Sequence, residues 1–338
     1  MATAGLRIGV VGATGALGAE LLDVLDGSAI RVARIVPVAT EKSLGAEVEF
    51  QGEVIPVETE LPSLHGLDFV FLCAPSAASL EVAGAALRAE VPGIDLSGAL
   101  ASTAEVPLRI ADLGVPEEEA AVPFVATPAG PALPWALLLH PLADRAGLVR
   151  VVGTVLDSAS VGGVRGTESL LSESLALFNQ QEVPDPTVFS HPVAFDCAPS
   201  VGQPGAGGDT PREQQAIADL HRLLGADISF SITAVRVPTF LGLASSLIVE
   251  TREPLDPDEA RAVLSEAPGL EVWPDDIEGP TVRAAAGYDE VLVGRVRRDP
   301  TAENGLLLWI ATDQVRLAAT NAVKLAEARL VGISHRVA

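Results

Sequence analysis

Near the start of the chain, the segment GVVGATGALG places glycine at positions 9, 12, 15 and 18. It ends an apolar run, LRIGVVG (6–12), that reads as a buried strand. It also opens GALGAELLDVLD (15–26), whose apolar stripe Leu17, Leu21, Leu22 and Leu25 has helical spacing. Glycine has no Cβ, so the backbone can turn sharply there and approach a ligand closely. The helix N-terminus points N–H groups and partial positive charge into the same space, which suits a pyrophosphate. The spacing differs by one residue from the usual dinucleotide fingerprint. One reading is a tight strand–helix turn without a ligand. The other makes Gly9, Gly12, Ala13, Thr14, Gly15, Ala16 and Leu17 a dinucleotide-binding turn, and its place after the first strand of an α/β unit favours this one.

The surrounding pattern agrees. IRVARIVPVA (30–39), LDFVFLCAP (67–75) and GIDLSGA (93–99) read as further strands, with an Ala-rich helix over 77–88. Near-continuous apolar strands alternating with helices predict a parallel sheet covered on both faces. The end of the second strand usually reads the adenosine ribose. Here Thr40, Lys42 and Ser43 suit a 2′-phosphate and Glu41 a free ribose hydroxyl, so the cofactor is NADP or NAD. Beyond about residue 130 the strands lengthen: 150–161, 228–239, 245–253, 290–299 and 305–313. They predict an antiparallel sheet with one face under helices. The segment 313–330 reads as a helix returning to the first domain. The expected fold is therefore α/β. A Rossmann-like parallel-sheet domain spans 1–129, with the C-terminal helix 314–338 returning to it, and an α+β antiparallel-sheet domain spans 130–313.

Composition narrows the function. Apolar residues make up 48 % of the 338, enough for large cores, and the net charge is −23. That charge disfavours nucleic acid or an anionic membrane surface as partner. No charge-free apolar stretch reaches the ~20 residues of a membrane helix, and the N-terminus does not read as a signal peptide. Two cysteines, Cys73 and Cys197, make no disulfide framework, and no His or Cys spacing suits a metal. A cytoplasmic setting is expected.

Taken in order, GVVGATGALG, GIDLSGAL (93–100), HPVAFDCAPSVG (191–202), AVRVPTFLG (234–242) and LWIATDQVRLAATNAV (308–323) resemble the aspartate-semialdehyde dehydrogenase family, in particular its Usg-1-like branch. The resemblance implies an NADP-binding domain followed by a catalytic and dimerisation domain. It also implies thioester chemistry, in which a Cys thiolate attacks an aldehyde, hydride leaves for nicotinamide and phosphate releases the acyl group. The family's nucleophile lies in an Asn-Pro-x-Cys segment. Here that segment is Thr127-Pro128-Ala129-Gly130, so Gly130 stands at the Cys position. Leu243 stands where the family has its base His, Ala101 where it has a phosphate-binding Arg, and Ala159 where it has a Gln. Arg236, in RVP, keeps the substrate-carboxylate position. Glu213 matches a substrate residue but also completes a helix cap with Thr210, while Gln215 replaces a Lys. Asn321 matches an Asn facing the nicotinamide amide, and Ser97 and Gly98 match a strand end near the substrate.

The other histidines, His65, His140, His221 and His335, fall elsewhere, which leaves His191 with Cys197 as a substitute nucleophile pair. The expectation is a pseudoenzyme that keeps the fold and NADP binding, as a homodimer or higher homo-oligomer, or paired with an active relative, without metal, nucleic acid or membrane. The alternatives are an active NAD(P)-dependent oxidoreductase using Cys197, and a nucleotide-binding regulatory subunit.

Overall fold

A computed structural model describes residues 5–59, 64, 66–116, 122–274 and 278–334, the last four as backbone only. The chain divides into two units, residues 1–129 with 318–338, and residues 130–317. His65 and His335 lie outside the described residues.

Along the first unit run β1 (Leu6–Val11), α1 (Ala16–Asp26), β2 (Val32–Val38), the hairpin β3 (Glu47–Phe50) and β4 (Glu53–Pro56), β5 (Phe69–Leu72), α2 (Ser76–Arg88), β6 (Gly93–Asp95) and β7 (Phe124–Ala126). Five of these strands form one parallel sheet in the order β2-β1-β5-β6-β7. Its central strand, FVFL, is buried at every residue, as a strand enclosed on both faces must be. Ile8, Val10, Phe69 and Phe71 of the sheet share a core with Leu21, Leu22 and Leu25 of α1 and with Ala319, Ala322 and Val323 of the C-terminal helix.

Two glycines hold the β1–α1 turn together. Gly12 has φ +88°, and a Cβ there would sit 2.7 Å from the Ala74 amide nitrogen. A Cβ on Gly18 would sit 2.2 Å from the Gly12 carbonyl oxygen. Both contacts are with backbone, which cannot swing aside as a side chain can.

The second unit contains α3 (Ala132–Ala146), β8 (Leu148–Asp157), α4 (Gly163–Phe178), α5 (Pro211–Leu224), β9 (Ser229–Arg236), β10 (Leu243–Thr251), α6 (Pro257–Glu266), β11 (Leu270–Val272), β12 (Val291–Arg298) and β13 (Gly305–Thr312). The final helix, α7 (Gln314–Ser334), starts here and passes into the first unit at Ala318. The six strands are ordered β11-β12-β13-β10-β8-β9. The expected antiparallel sheet is in fact mixed, because β8–β9 and β11–β12 pair in parallel. Parallel neighbours need a long crossover. The β8–β9 pair has one, which carries α4 and α5. Along β8, β10 and β13, alternate residues such as Val151, Val155, Leu247, Val249, Leu308 and Ile310 are fully buried. Trp135 of α3 packs on Gly153 and donates to Ser245 Oγ at 2.9 Å. The helices α3, α5 and α6 cover this inner face. No described helix is long and apolar enough to cross a membrane.

Gly18→Ala tests the turn. Forcing a methyl group against the Gly12 carbonyl is expected to cost ~1–3 kcal/mol, read as a lower denaturant midpoint at unchanged slope. An unchanged midpoint would mean α1 does not approach the turn this closely.

Candidate functional site

In the first unit, a cavity of about 360 Å³ opens at the carboxyl ends of β1 and β2 and is bounded by α2. Gly12, Thr14, Gly15 and Thr40 line it, together with Cys73, Pro75 and Glu81. Gly15 is the N-cap of α1 and offers no side-chain cap, so the helix start is left open to a ligand. The Gly12 and Ala13 amides are not available, since both donate to the Val38 carbonyl, at 2.7 and 3.2 Å. That bond ties the turn to β2. Thr14 Oγ1 and Ser43 Oγ lie 3.1 Å apart, so the two loops at the cavity mouth are bonded together. A glycine turn, an uncapped helix and a threonine-lined cavity fit the pyrophosphate and adenosine of a dinucleotide.

The expected cofactor residues divide accordingly. Gly12, Thr14, Gly15 and Thr40 line the cavity, and Ser43 bonds to Thr14. Ala16 and Leu17 form the first turn of α1, and Lys42 is exposed on the short turn after Thr40. Gly9 lies outside the cavity lining and is closely packed, since a Cβ there would meet Leu67 Cδ1 at 2.9 Å. Asn321 is also spent on structure. Its Oδ1 accepts the Ala111 amide at 2.8 Å and its Nδ2 donates to the Arg109 carbonyl at 3.4 Å. Glu81 and Thr59 were missed, since nothing in a helix face or a loop marks them in one dimension. Past β6, the buried Asp95 accepts from Ser97 N, Ser97 Oγ and Leu100 N at 2.9, 2.5 and 2.7 Å. This shapes the turn that holds Gly98 (φ +76°), and Ala101 follows it fully buried.

In the second unit, sheet register assembles a different cluster. Leu243, Asp157 and Arg236 are cross-strand neighbours at one end of β10, β8 and β9. Asp157 is fully buried, and Arg212 of α5 grips it with two bonds, Nε–Oδ2 at 2.6 Å and Nη2–Oδ1 at 2.7 Å. The same guanidinium stands beside Gly130. A Cβ on that glycine (φ +59°) would lie 2.8 Å from Arg212 Nη1 and 3.0 Å from Cζ. Neither Asp157 nor Arg212 stood out in sequence. An acid at the end of an apolar strand was the available signal, because such a group needs a partner when buried. Leu243 and Ala159 are both fully buried.

Arg236 is 3 % exposed and lies over the Phe189 ring, 4.2 Å from its centroid. Its Nη2 is buried without a hydrogen-bond partner among the described residues. Burial lowers its pKa, and the nearby charges of Glu173 and Asp196 work the other way. Glu173 is itself fixed by the Val193 and Ala194 amides at 2.5 and 2.9 Å. Glu213 serves the fold. Oε2 accepts Thr210 N and Oγ1 at 2.6 and 2.8 Å, closing a capping box, and Oε1 accepts the Ala234 amide at 2.8 Å. Gln215 donates to Asp219 at 2.7 Å within the same helix.

Cys197 borders this cluster, between Asp196, whose charge acts on Arg236, and Ala198, whose backbone pairs with that of Arg236. His140 pairs with Asp144, and His221 bonds the Ile228 carbonyl. Cys197 and His191 are both exposed, and no hydrogen bond joins them among the described residues. Cys73 is half-buried in the lining of the dinucleotide cavity, where desolvation and then the charge of Asp95 push its pKa well above the usual thiol value. A raised pKa leaves the thiol protonated at neutral pH, hence a poor nucleophile. The expected result is that iodoacetamide at pH 8 modifies Cys197 and spares Cys73 until the protein unfolds. Equal modification of both in the folded chain would contradict the assignment.

A parallel-sheet unit with an open glycine turn, joined to a mixed-sheet unit, defines a two-domain dinucleotide-binding architecture. Residues 7–130 match the NAD binding domain of semialdehyde dehydrogenase, and residues 139–317 match its dimerisation domain. The chain belongs to the semialdehyde dehydrogenase family. It is 33 % identical over 332 residues to aspartate-semialdehyde dehydrogenase of Aquifex aeolicus, covering 96 % of this chain and 97 % of that protein. It is 34 % identical over 333 residues to a USG-1 protein homolog of Azotobacter vinelandii, covering 95 % and 97 %. The crystal structure of aspartate semialdehyde dehydrogenase II from Vibrio cholerae superposes with a TM-score of 0.91 at 31 % identity, covering 97 % of this chain and 99 % of that one.

Proposed function

We propose that this chain is a pseudoenzyme of the aspartate-semialdehyde dehydrogenase type, which binds NADP or NAD and lacks the acyl-transfer chemistry. The observation that carries the reading is Gly130. At the position of the family's nucleophile there is a left-handed glycine with a guanidinium 2.8 Å from where a side chain would begin. A thioester needs a thiolate, and neither cysteine stands at residue 130: Cys73 lines the cavity of the first unit and Cys197 is exposed. The base position holds Leu243, buried between Asp157 and Thr312 on the neighbouring strands. Ala101 and Ala159 are buried methyl groups that can neither bind phosphate nor orient a carbonyl. Of the substrate-binding remnants, Glu213 is committed to its cap and strand, and Arg236 keeps a free donor.

NADP is favoured over NAD by Thr40, Lys42 and Ser43 after β2, although Glu41 and Glu81 bring negative charge to the same rim. The partner is a second copy or an active relative, and the setting is cytoplasmic.

A second reading rests on the unpartnered Nη2 of Arg236. A buried donor without an acceptor is what a carboxylate ligand would satisfy. On this reading the protein is a sensor or regulatory subunit that binds a small carboxylate beside its nucleotide. An active oxidoreductase using Cys197 has less support, because that thiol is exposed and no base is bonded to it among the described residues.

The deciding assay supplies aspartate semialdehyde, NADP and phosphate to the pure full-length chain. No turnover is expected, and Gly130→Cys alone should not restore it, since no base is supplied. Turnover by the wild-type chain within about tenfold of an intact relative, ~1.4 kcal/mol in barrier, would reject the pseudoenzyme reading. In the same samples, NADPH at about 100 times its Kd should stabilise the fold by ~2.7 kcal/mol, seen as a raised Tm. No shift with either dinucleotide would remove the nucleotide-binding part.

A further inference from the structure

The cavity of the first unit spans the carboxyl ends of three strands. In the sheet, β1 lies between β2 and β5, so residues following β2 and residues following β5 wall the cavity on opposite sides of the Gly12 turn. The turn itself and the uncapped start of α1 suit the phosphates. The two walls are of another kind. Val38 and Ala39 stand on the β2 side, and Pro75, Ala78 and Val82 on the side of α2. Facing apolar walls suit the two faces of a planar ring. On the α2 wall stands Glu81, three residues after Ala78 and one before Val82, hence on the same helix face. It is the only carboxylate among the described residues of the lining. It is exposed, and no hydrogen bond or ion pair engages it among the described residues.

A free carboxylate is out of place in a cavity for an anionic ligand, since in a chain of net charge −23 it adds repulsion. It therefore faces a part of the ligand that donates hydrogen bonds. A volume of about 360 Å³ is small for a whole dinucleotide, and the cavity includes Thr40 at the end of β2, so it is the adenosine half. The donors of that half are the ribose hydroxyls and the exocyclic amino group of the base. The ribose belongs at the end of β2, on the wall opposite α2. The amino group is what remains for Glu81.

We infer that Glu81 selects the base of the nucleotide, accepting a hydrogen bond from the 6-amino group of adenine while α2 and the end of β2 enclose the ring. The inference rests on the dinucleotide-binding reading and adds to it the residue that reads the base. An ionised carboxylate only accepts hydrogen bonds. Adenine offers it an N–H donor, whereas hypoxanthine and guanine carry a carbonyl oxygen at the same place, and two acceptors repel. A site that hydrogen-bonds a ligand group rejects the analogue lacking it. Because Glu81 is exposed, water weakens the bond, and the discrimination is moderate.

The experiment is isothermal titration calorimetry of the full chain with NADP, with NAD and with the hypoxanthine analogue of NADP. The wild-type chain should bind NADP about tenfold more tightly than the analogue, the worth of one hydrogen bond. In Glu81→Gln the side-chain amide can donate as well as accept, so it serves either base, and the ratio should fall to within about threefold of one. Loss of the charge also eases repulsion of the phosphates, but it does so for both bases alike, so the ratio is the readout and not either affinity. Glu81 is exposed, so its variant should keep the wild-type circular dichroism. Glu168→Gln, at an exposed carboxylate on α4, is the charge control and should keep the wild-type ratio. Equal wild-type affinity for the two bases would overturn the inference while sparing the nucleotide reading. An unchanged ratio in Glu81→Gln would overturn it too. If that variant altered only the preference between NADP and NAD, Glu81 would face the 2′-phosphate instead, and the inference would again fail. Binding of none of the three ligands would remove the nucleotide reading and this inference together.

Discussion

The second unit turns on one ion pair. Asp157 ends β8 with no exposure at all, and a buried carboxylate without a partner is too costly to keep. Arg212 meets it with a two-pronged fork, the geometry in which guanidinium and carboxylate interact best. Losing one partner of a fully buried pair costs ~3–5 kcal/mol; here the figure is lower, because the Arg212 side chain stays 21 % exposed. The pair has consequences beyond itself. It fixes the first turn of α5, which the Thr210–Glu213 box also anchors and which Glu213 ties to β9. It also parks a guanidinium against residue 130, where only a residue without a side chain fits without displacement.

On the proposed reading, nucleotide binding and acyl chemistry part company. The binding groups in the first unit are mostly main chain: an uncapped helix start, a left-handed glycine and close backbone approaches at Gly12 and Gly18. Substitution elsewhere leaves such groups intact. Chemistry would instead depend on side chains at strand ends and loops, and each of those can be lost by one substitution without disturbing the sheet beneath. Leu243 illustrates it, sitting in register between Asp157 and Thr312 as an ordinary core residue.

Much was legible from pattern. The first strand, its glycine turn, the helical stripe of α1 and the parallel sheet all follow from periodicity and position. The capping sequence Thr210-Pro211-Arg212-Glu213 placed the start of α5 correctly, because capping is local chemistry. Other features rest on contacts distant in sequence. Gly9 packs against Leu67, Asn321 bonds the 109–111 backbone, and Glu213, read from sequence as a capping residue, also accepts the Ala234 amide. The mixed sheet was misread for a similar reason, since strand direction is set by the crossover between strands and not by the residues within them.

The sequence by itself determined where the backbone must turn and which faces are apolar, and its residue identities at Gly130, Leu243 and Ala101 are what the proposed loss of chemistry rests on. Those properties depend on φ, on hydrophobic period and on residue identity, and each is local. Only the tertiary structure decided that Arg212 belongs to Asp157 and fills the space at Gly130, and that Arg236 keeps a donor unmatched among the described residues. Register and helix docking bring together residues tens of positions apart, and no one-dimensional pattern encodes which of them will meet.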